Sequence, residues 1–150
     1  MIDLAKKCDL RALLKIEEEA FESDRITIEA FYSLLRKNGT TLSLLAGRDE
    51  DDLCIGYILV LYSRQNKVAR IHSYAVSKDA RGTGLGAQLI EAACYDAKYA
   101  YNKLCIRTEV RVDNPHALAR YEKSGFRRYG SKENYYADGC ASFSYEKELV

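Results

Sequence analysis

Near the middle of the chain a strand-like run, Lys67–Val76, passes through Ser77-Lys78-Asp79-Ala80 into Arg81-Gly82-Thr83-Gly84-Leu85-Gly86. An apolar stripe at helical spacing, Leu85, Leu89, Ile90, Ala93 and Ala97, follows at once. Strand, glycine-rich loop and helix in that order present backbone N–H groups, and the positive end of a helix dipole, to an anion. The glycines let phosphate oxygens approach the backbone without meeting a Cβ. Two common nucleotide loops fit poorly. A Walker A loop closes on Gly-Lys-Ser/Thr, whereas this one closes on Gly84-Leu85-Gly86-Ala87. A dinucleotide fingerprint, G-x-G-x-x-G, belongs to a first βαβ unit, whereas these glycines stand at 82, 84 and 86 behind three runs that look antiparallel. The choice left is a phosphate loop of another kind or a plain flexible turn.

The rest of the chain frames that loop. Asp9 is placed to cap a first helix, with Leu10, Leu13, Leu14, Ile16, Ala20 and Phe21 on its apolar face, interrupted at Ser23 or Asp24. Ile28, Phe31, Leu34 and Leu35 mark a second helix that stops at Gly39. Thr41–Gly47, Cys54–Tyr62 and Lys67–Val76 form an antiparallel meander, with the solvated acidic turn Asp49-Glu50-Asp51-Asp52 between the first two. Leu104–Val110 is a strand, Pro115 opens a helix that runs to Ser124 and stops at Gly125, and Phe126–Tyr129 and Ala141–Leu149 are the last strands. A short strand at Ile2–Leu4 completes the order αα-βββ-α-β-α-ββ, an α/β chain whose mixed sheet has helices on both faces. No linker or repeat divides the 150 residues, so one domain spanning 1–150 is expected.

Charge and cysteines narrow the function. A net charge of +1 provides no field for nucleic acid or a membrane surface. The longest apolar run, Cys54–Tyr62, is far short of the ~20 residues that span a bilayer. The N-terminus lacks the apolar core of a signal peptide. Cys8, Cys54, Cys94, Cys105 and Cys140 are odd in number and form no CxxC pair, so reduced thiols, no metal and a cytoplasmic location are expected. Cys140 alone, in a Gly-containing loop, is kept as a candidate for reactivity.

Arg81, Gly84 and Gly86 match the pattern Arg/Gln-x-x-Gly-x-Gly/Ala. The segment resembles the pyrophosphate loop of the GNAT superfamily of N-acetyltransferases. Glu109-Val110-Arg111 … Asn114 … Tyr121-Glu122-Lys123-Ser124-Gly125-Phe126 is similar to the "E-V-R-x-x-N … Y-E-x-x-G-F" block of the ribosomal-protein alanine N-acetyltransferase (RimI-like) branch. Asn134-Tyr135-Tyr136-Ala137-Asp138-Gly139 resembles its "N-Y-Y … D-G" loop, and Ile16-Glu17 … Ala20-Phe21 its first helix. Ser142–Tyr145 departs from the branch, which tends to carry an acidic residue and a more aliphatic strand there.

The resemblance implies the GNAT acyl-CoA N-acyltransferase fold: a mostly antiparallel sheet in which two parallel strands splay, here those ending at Val76 and Val110. It implies acetyl-CoA as co-substrate, held by Tyr74, Ala75 and Val76 along the strand, by Arg81, Gly82, Thr83, Gly84, Leu85, Gly86 and Ala87 in the loop, and by Asn114 and Ala117 opposite. It makes Glu109 the general base, acting through water, and Tyr121 the proton donor to sulfur. By their residue types alone, Glu109 also reads as a surface carboxylate on an edge of the sheet and Tyr121 as a buried ring with a wet hydroxyl. His72 is expected to line the cleft, His116 to face solvent, and Tyr135 and Tyr136 to shape the acceptor entrance. An α-amine titrates near ~8 and a lysine near ~10.4, so one modest carboxylate suits a protein or peptide N-terminus better. A small amine (amino acid, polyamine or drug) as acceptor, or an inactive acyl-CoA-binding module, are the competing readings. The expected assembly is a monomer or weak homodimer.

Overall fold

The three apolar runs of the chain's second third build the centre of a sheet. In the computed structural model, which describes Met1–Val150, β2 (Leu42–Arg48), β3 (Cys54–Tyr62) and β4 (Val68–Val76) pair antiparallel in sequence order. All of β2 and most of β3 are buried, as strands covered on both faces must be. The acidic turn between them is exposed, and Asp49 accepts the N–H groups of Asp51 and Leu53. Its carboxylate shapes the turn.

β1 (Ile2–Leu4) pairs with β2, and β5 (Cys105–Arg111), β6 (Arg127–Lys132) and β7 (Ser142–Glu148) complete seven strands in the order β1-β2-β3-β4-β5-β7-β6. Only β4 and β5 run parallel. On one face α1 (Leu10–Ala20) and α2 (Ile28–Lys37) bury Leu13, Ile16, Phe31 and Leu35 against Leu44, Tyr57 and Leu59. On the other, α3 (Leu85–Tyr99) buries Leu89, Ile90 and Ala93 against Ile58, Val60 and Ile71, and α4 (Pro115–Lys123) adds Tyr121. Each such aliphatic side chain contributes about 1.5–3 kcal/mol of transfer free energy. The sequence-derived elements all form, with ends shifted by one residue in most cases. The exception is β6, which continues to Lys132 because Tyr129 bulges and pairing with β7 resumes at Gly130.

Asp9 departs from its expected role. It stands at the α1 N-cap position but gives no side-chain cap there. Its carboxylate accepts from Lys6 N–H and from the Arg48 guanidinium at 2.8 Å, tying the first turn to β2. Arg48, which also binds Asp3, holds the Asp9 carboxyl below the usual range despite its burial.

One irregularity positions the site. The parallel β4–β5 register ends at Ile71 opposite Thr108, whose hydroxyl donates to Ile71 O at 3.1 Å. At the same point β4 carries an extra residue against β3: Val60 pairs with Ile71 and Leu59 with Ser73, leaving His72 as a bulge. A bulge bends its strand and reverses the alternation beyond it. Past His72, β4 stays with β3 while β5 stays with β7, and a gap opens between them.

Candidate active site

Ser77, just beyond β4, donates its N–H to Ile55 O on the β3 side. Strand alternation then aims the backbone groups of Ala75 at β3 and those of Tyr74 and Val76 into the gap. The Ala75 side chain is buried in the α1–α2 core. The glycine loop sits at the end of this strand. Arg81, Gly82, Thr83 and Gly84 are exposed, and Gly82 and Gly84 adopt φ of +79° and +88° with nothing within 4 Å of where a Cβ would stand. Thr83 turns its hydroxyl back onto Ala80 O. α2 is capped by Thr27 and α4 by Asn114, but no side chain caps α3. The first-turn N–H groups of Leu85, Gly86 and Ala87 therefore face outward with no intrahelical acceptor. Leu85 offers only its backbone, because its side chain fills the space above Gly47 and Gly56. A Cβ at Gly86 would come within 3.2 Å of the Tyr74 hydroxyl. A strand edge with free N–H groups, leading to an uncapped helix start with Cβ-free approaches, fits an extended ligand that ends in a pyrophosphate.

Beside the gap lies a cleft of about 500 Å³. Glu109, on β5, forms part of its floor, and its side chain is only 4% exposed. Oε1 accepts from Arg70 at 3.0 Å and Lys132 at 3.1 Å, and Oε2 accepts from the Ser144 hydroxyl. Burial alone would raise its pKa. The bonds from Ser144, Arg70 and Lys132 outweigh that and hold the carboxyl below its ordinary value. Glu109 is thus a fixed anion at neutral pH.

Tyr121 enters from α4, 3% exposed, edge-on to Tyr74 with ring centres 5.7 Å apart. Burial, with Tyr74 beside it, drives its phenol far above the ordinary value, and the Thr108 hydroxyl offsets this in part. Tyr121 therefore keeps its proton throughout the working pH range. His72 lines the cleft at the bulge. Desolvation by the cleft walls, then the Arg70 charge, holds its imidazole below the usual value, so it is neutral near pH 7. Asn114 and Ala117 also line the cleft, but the Asn114 carbonyl oxygen accepts Ala117 N–H, which leaves the amide NH2 as its outward group. His116 is exposed and lies outside this lining.

Two loops close the cleft beyond Glu109. Tyr135 and Tyr136 come from the β6–β7 loop, and Phe21 and Ser23 to Ile26 from the α1–α2 loop. Asp24 bridges them by accepting Ala137 N–H at 3.2 Å. Arg111, bonded to Asp113 and Asp138, lies over the Tyr136 ring at 4.9 Å. Cys140 sits in the same loop with its N–H on Asp138. Sequence reasoning passed over Arg70, Lys132 and Ser144, the three partners of Glu109. It named Glu17 only in the first-helix resemblance and gave it no site role; buried beneath the α1–α2 loop, Glu17 accepts Tyr57 O–H and Ile26 N–H, and burial pushes its carboxyl up. Tyr57 in turn meets the Ser73 hydroxyl at the cleft wall, 2.8 Å away. For Ser144, the one available signal was the unusual Ser142–Tyr145 stretch.

A mostly antiparallel seven-stranded sheet, with one parallel pair splaying over an uncapped glycine loop, defines the acyltransferase class of fold. The Acetyltransferase (GNAT) family pattern matches residues 9–126, and the chain belongs to that family. An N-alpha-acetyltransferase of Saccharolobus solfataricus is 42% identical over 67 residues, a stretch that spans 45% of this chain and 40% of that protein. An uncharacterized N-acetyltransferase of Methanocaldococcus jannaschii is 35% identical over 136 residues, 87% of this chain and 80% of that one. In fold, Ard1 of Thermoplasma volcanium superposes with a TM-score of 0.88 at 23% identity, covering 100% and 97% of the two chains. The ribosomal-protein-S18-alanine N-acetyltransferase of Escherichia coli does so with 0.83 at 22%, covering 100% and 94%. No helix is long and apolar enough to cross a membrane.

Proposed function

We propose that the chain transfers acetyl from acetyl-CoA to the N-terminal α-amine of a protein or peptide. The observation that carries this reading is the buried Glu109, ionised at neutral pH, beside the unpaired edge of β4. In this reading the edge groups of Tyr74 and Val76 hold the pantetheine arm, and the N–H groups from Gly82 to Ala87 hold the pyrophosphate. Acetyl-CoA supplies an acetyl group already activated as a thioester.

Val76 N–H donates to the acyl oxygen as negative charge builds there. Glu109, through water, takes the proton that the acceptor amine releases. Tyr121 donates its phenolic proton to the departing sulfur. Neutral His72 lines the floor without adding a competing charge. The low pKa of Glu109 supports an α-amine over a lysine, because the handover to so weak a base is less uphill from an amine of pKa ~8 than from one of ~10.4.

The reading is tested by following thiol release from acetyl-CoA with three acceptor sets: peptides with free N-termini, Nα-blocked peptides carrying one lysine, and polyamines. Turnover confined to free N-termini is expected. Faster turnover of blocked lysine peptides or polyamines would overturn the acceptor assignment, and binding of acetyl-CoA without turnover of any amine would overturn the catalytic one.

A further inference from the structure

The sheet face that carries Glu109 continues past the helices. α1 and α2 pack over the β2–β4 part of it, while β5, β7 and β6 present a polar strip there. Cross-strand register lines up Arg70 on β4, Arg107 on β5, Glu146 on β7 and Arg127 on β6, so all four side chains share that face. Glu146 is the only carboxylate in this row. It accepts from Arg107 at 3.1 Å and pairs with Arg127 at 3.5 Å. Two residues along β5, Glu109 is likewise the only carboxylate between Arg70 and Lys132. By these contacts each cluster sets two cations against one anion; Glu148, exposed on the same face two residues along β7 from Glu146, is the strip's third carboxylate, so four cations face three anions. The four cations are between 38% and 75% exposed, whereas Glu109 and Glu146 are 4% and 16% exposed. The excess positive charge thus faces outward.

From this we infer, resting on the peptide reading above, that the acceptor is an acidic N-terminus, with a carboxylate in its third residue seated over the Arg107–Glu146–Arg127 cluster. The spacing suits such a peptide. Glu146 lies one strand over and two residues along from Glu109, about 8 Å by strand geometry, and an extended peptide advances about 6.8 Å in two residues. Polycations meet like charge on the same approach. Cation excess at an approach path acts mainly on encounter and KM, and it weakens as salt screens it.

The test compares peptides beginning Ala-Glu-Glu, Ala-Gln-Gln and Ala-Lys-Lys at low and high ionic strength. The kcat/KM should fall in that order, by about tenfold or more across the series in low salt, with most of the change in KM. Arg127→Gln brings the outer cluster to neutrality and should flatten the series. Arg107→Gln with Arg127→Gln leaves Glu146 alone and should tilt it toward Ala-Lys-Lys, while Arg→Lys at both positions restores the wild-type order. Ala-Gln-Gln turnover within about twofold of wild type in every variant shows that each one folds. Peptide transfer with no charge preference, or with a preference that these variants leave unmoved, overturns this inference and leaves the peptide reading standing. Transfer to small amines but to no peptide overturns both.

Discussion

Replacing Glu109 by Gln removes the one negative charge that Arg70, Lys132 and Ser144 converge on. Those bonds hold the carboxyl below its ordinary value despite its burial. The proton handover is therefore uphill from an α-amine of pKa ~8, and more so from a lysine of ~10.4, by about 2.4 units or about 3.3 kcal/mol. The first proton must leave the ammonium before its nitrogen can attack, and a second becomes acidic as the new C–N bond forms; taking up that second proton is general-base catalysis, worth about 10²–10⁴ in rate. Glu109→Gln should thus lower kcat/KM by about two to four decades while acetyl-CoA affinity holds. The pH profile carries a second signature. A lowered carboxyl pKa means that Glu109 loses its charge, and the native-state stability tied to that charge, only as pH falls through that lowered value. Between pH 5 and 9 wild-type kcat/KM should then rise to the acceptor's own pKa, with no inflection from Glu109. Thiol release across that range, paired with calorimetric titration of acetyl-CoA and a melting curve for each variant, makes the measurement. Unchanged turnover in the variant would refute the base assignment. A wild-type inflection between pH 6 and 7 that vanishes in the variant would refute the lowered pKa.

Tyr121→Phe keeps the buried ring and its edge contacts with Tyr74 and Phe126, so kcat should drop by about 10–100-fold with little change in Tm. Its phenol stays protonated well above pH 10, and a wild-type basic limb near pH 9 that disappears in the variant would contradict that. Gly47→Ala drives a Cβ to 2.7 Å from Leu85 Cδ1, under the first residue of α3. Overpacking of about 1–3 kcal/mol should lower Tm and weaken acetyl-CoA binding together; a loss of Tm with unchanged affinity would separate the glycine loop from ligand binding.

The elements were legible because their signals are local. Leu89, Ile90, Ala93 and Ala97 announce α3, and the apolar runs of β2 and β3 announce strands buried on both faces. The bulge was not legible. Along β4, Ala69 and Ile71 face the α3 core, yet Ala75 faces the opposite one, so the alternation flips between them. Ser73 and Ala75 are too small to betray a reversed face, and His72 looks like any other strand residue. That Glu109 and Tyr121 line one cleft was legible only through the block that resembles the family's, since residue type alone left both open. The three partners of Glu109 were not, because Arg70, Lys132 and Ser144 reach it from three other strands, through register that only the assembled sheet sets. Lys132 was further hidden by the Tyr129 bulge, which carries β6 beyond its expected end.

Lys132 is also where the base role of Glu109 can be separated from a purely structural one. Its side chain is half exposed and removable without opening a cavity, and Arg70 and Ser144 remain to hold the carboxylate. Lys132→Gln deletes one of the interactions that lower the Glu109 pKa, so the carboxyl moves back toward its ordinary value and becomes a stronger base. Water screens a half-exposed ammonium, so the gain in kcat on Ala-Gln-Gln should be modest, a few-fold and under about tenfold. The same substitution removes the cluster's spare positive charge, so KM for Ala-Glu-Glu should rise. One change thus moves kcat up on a neutral peptide and affinity down for an acidic one, and steady-state kinetics on the two peptides reads both. An ion pair serving only to brace the sheet predicts neither. A fall in kcat on both peptides, with Tm unchanged, would mean that Lys132 positions Glu109 and that base strength does not limit the reaction.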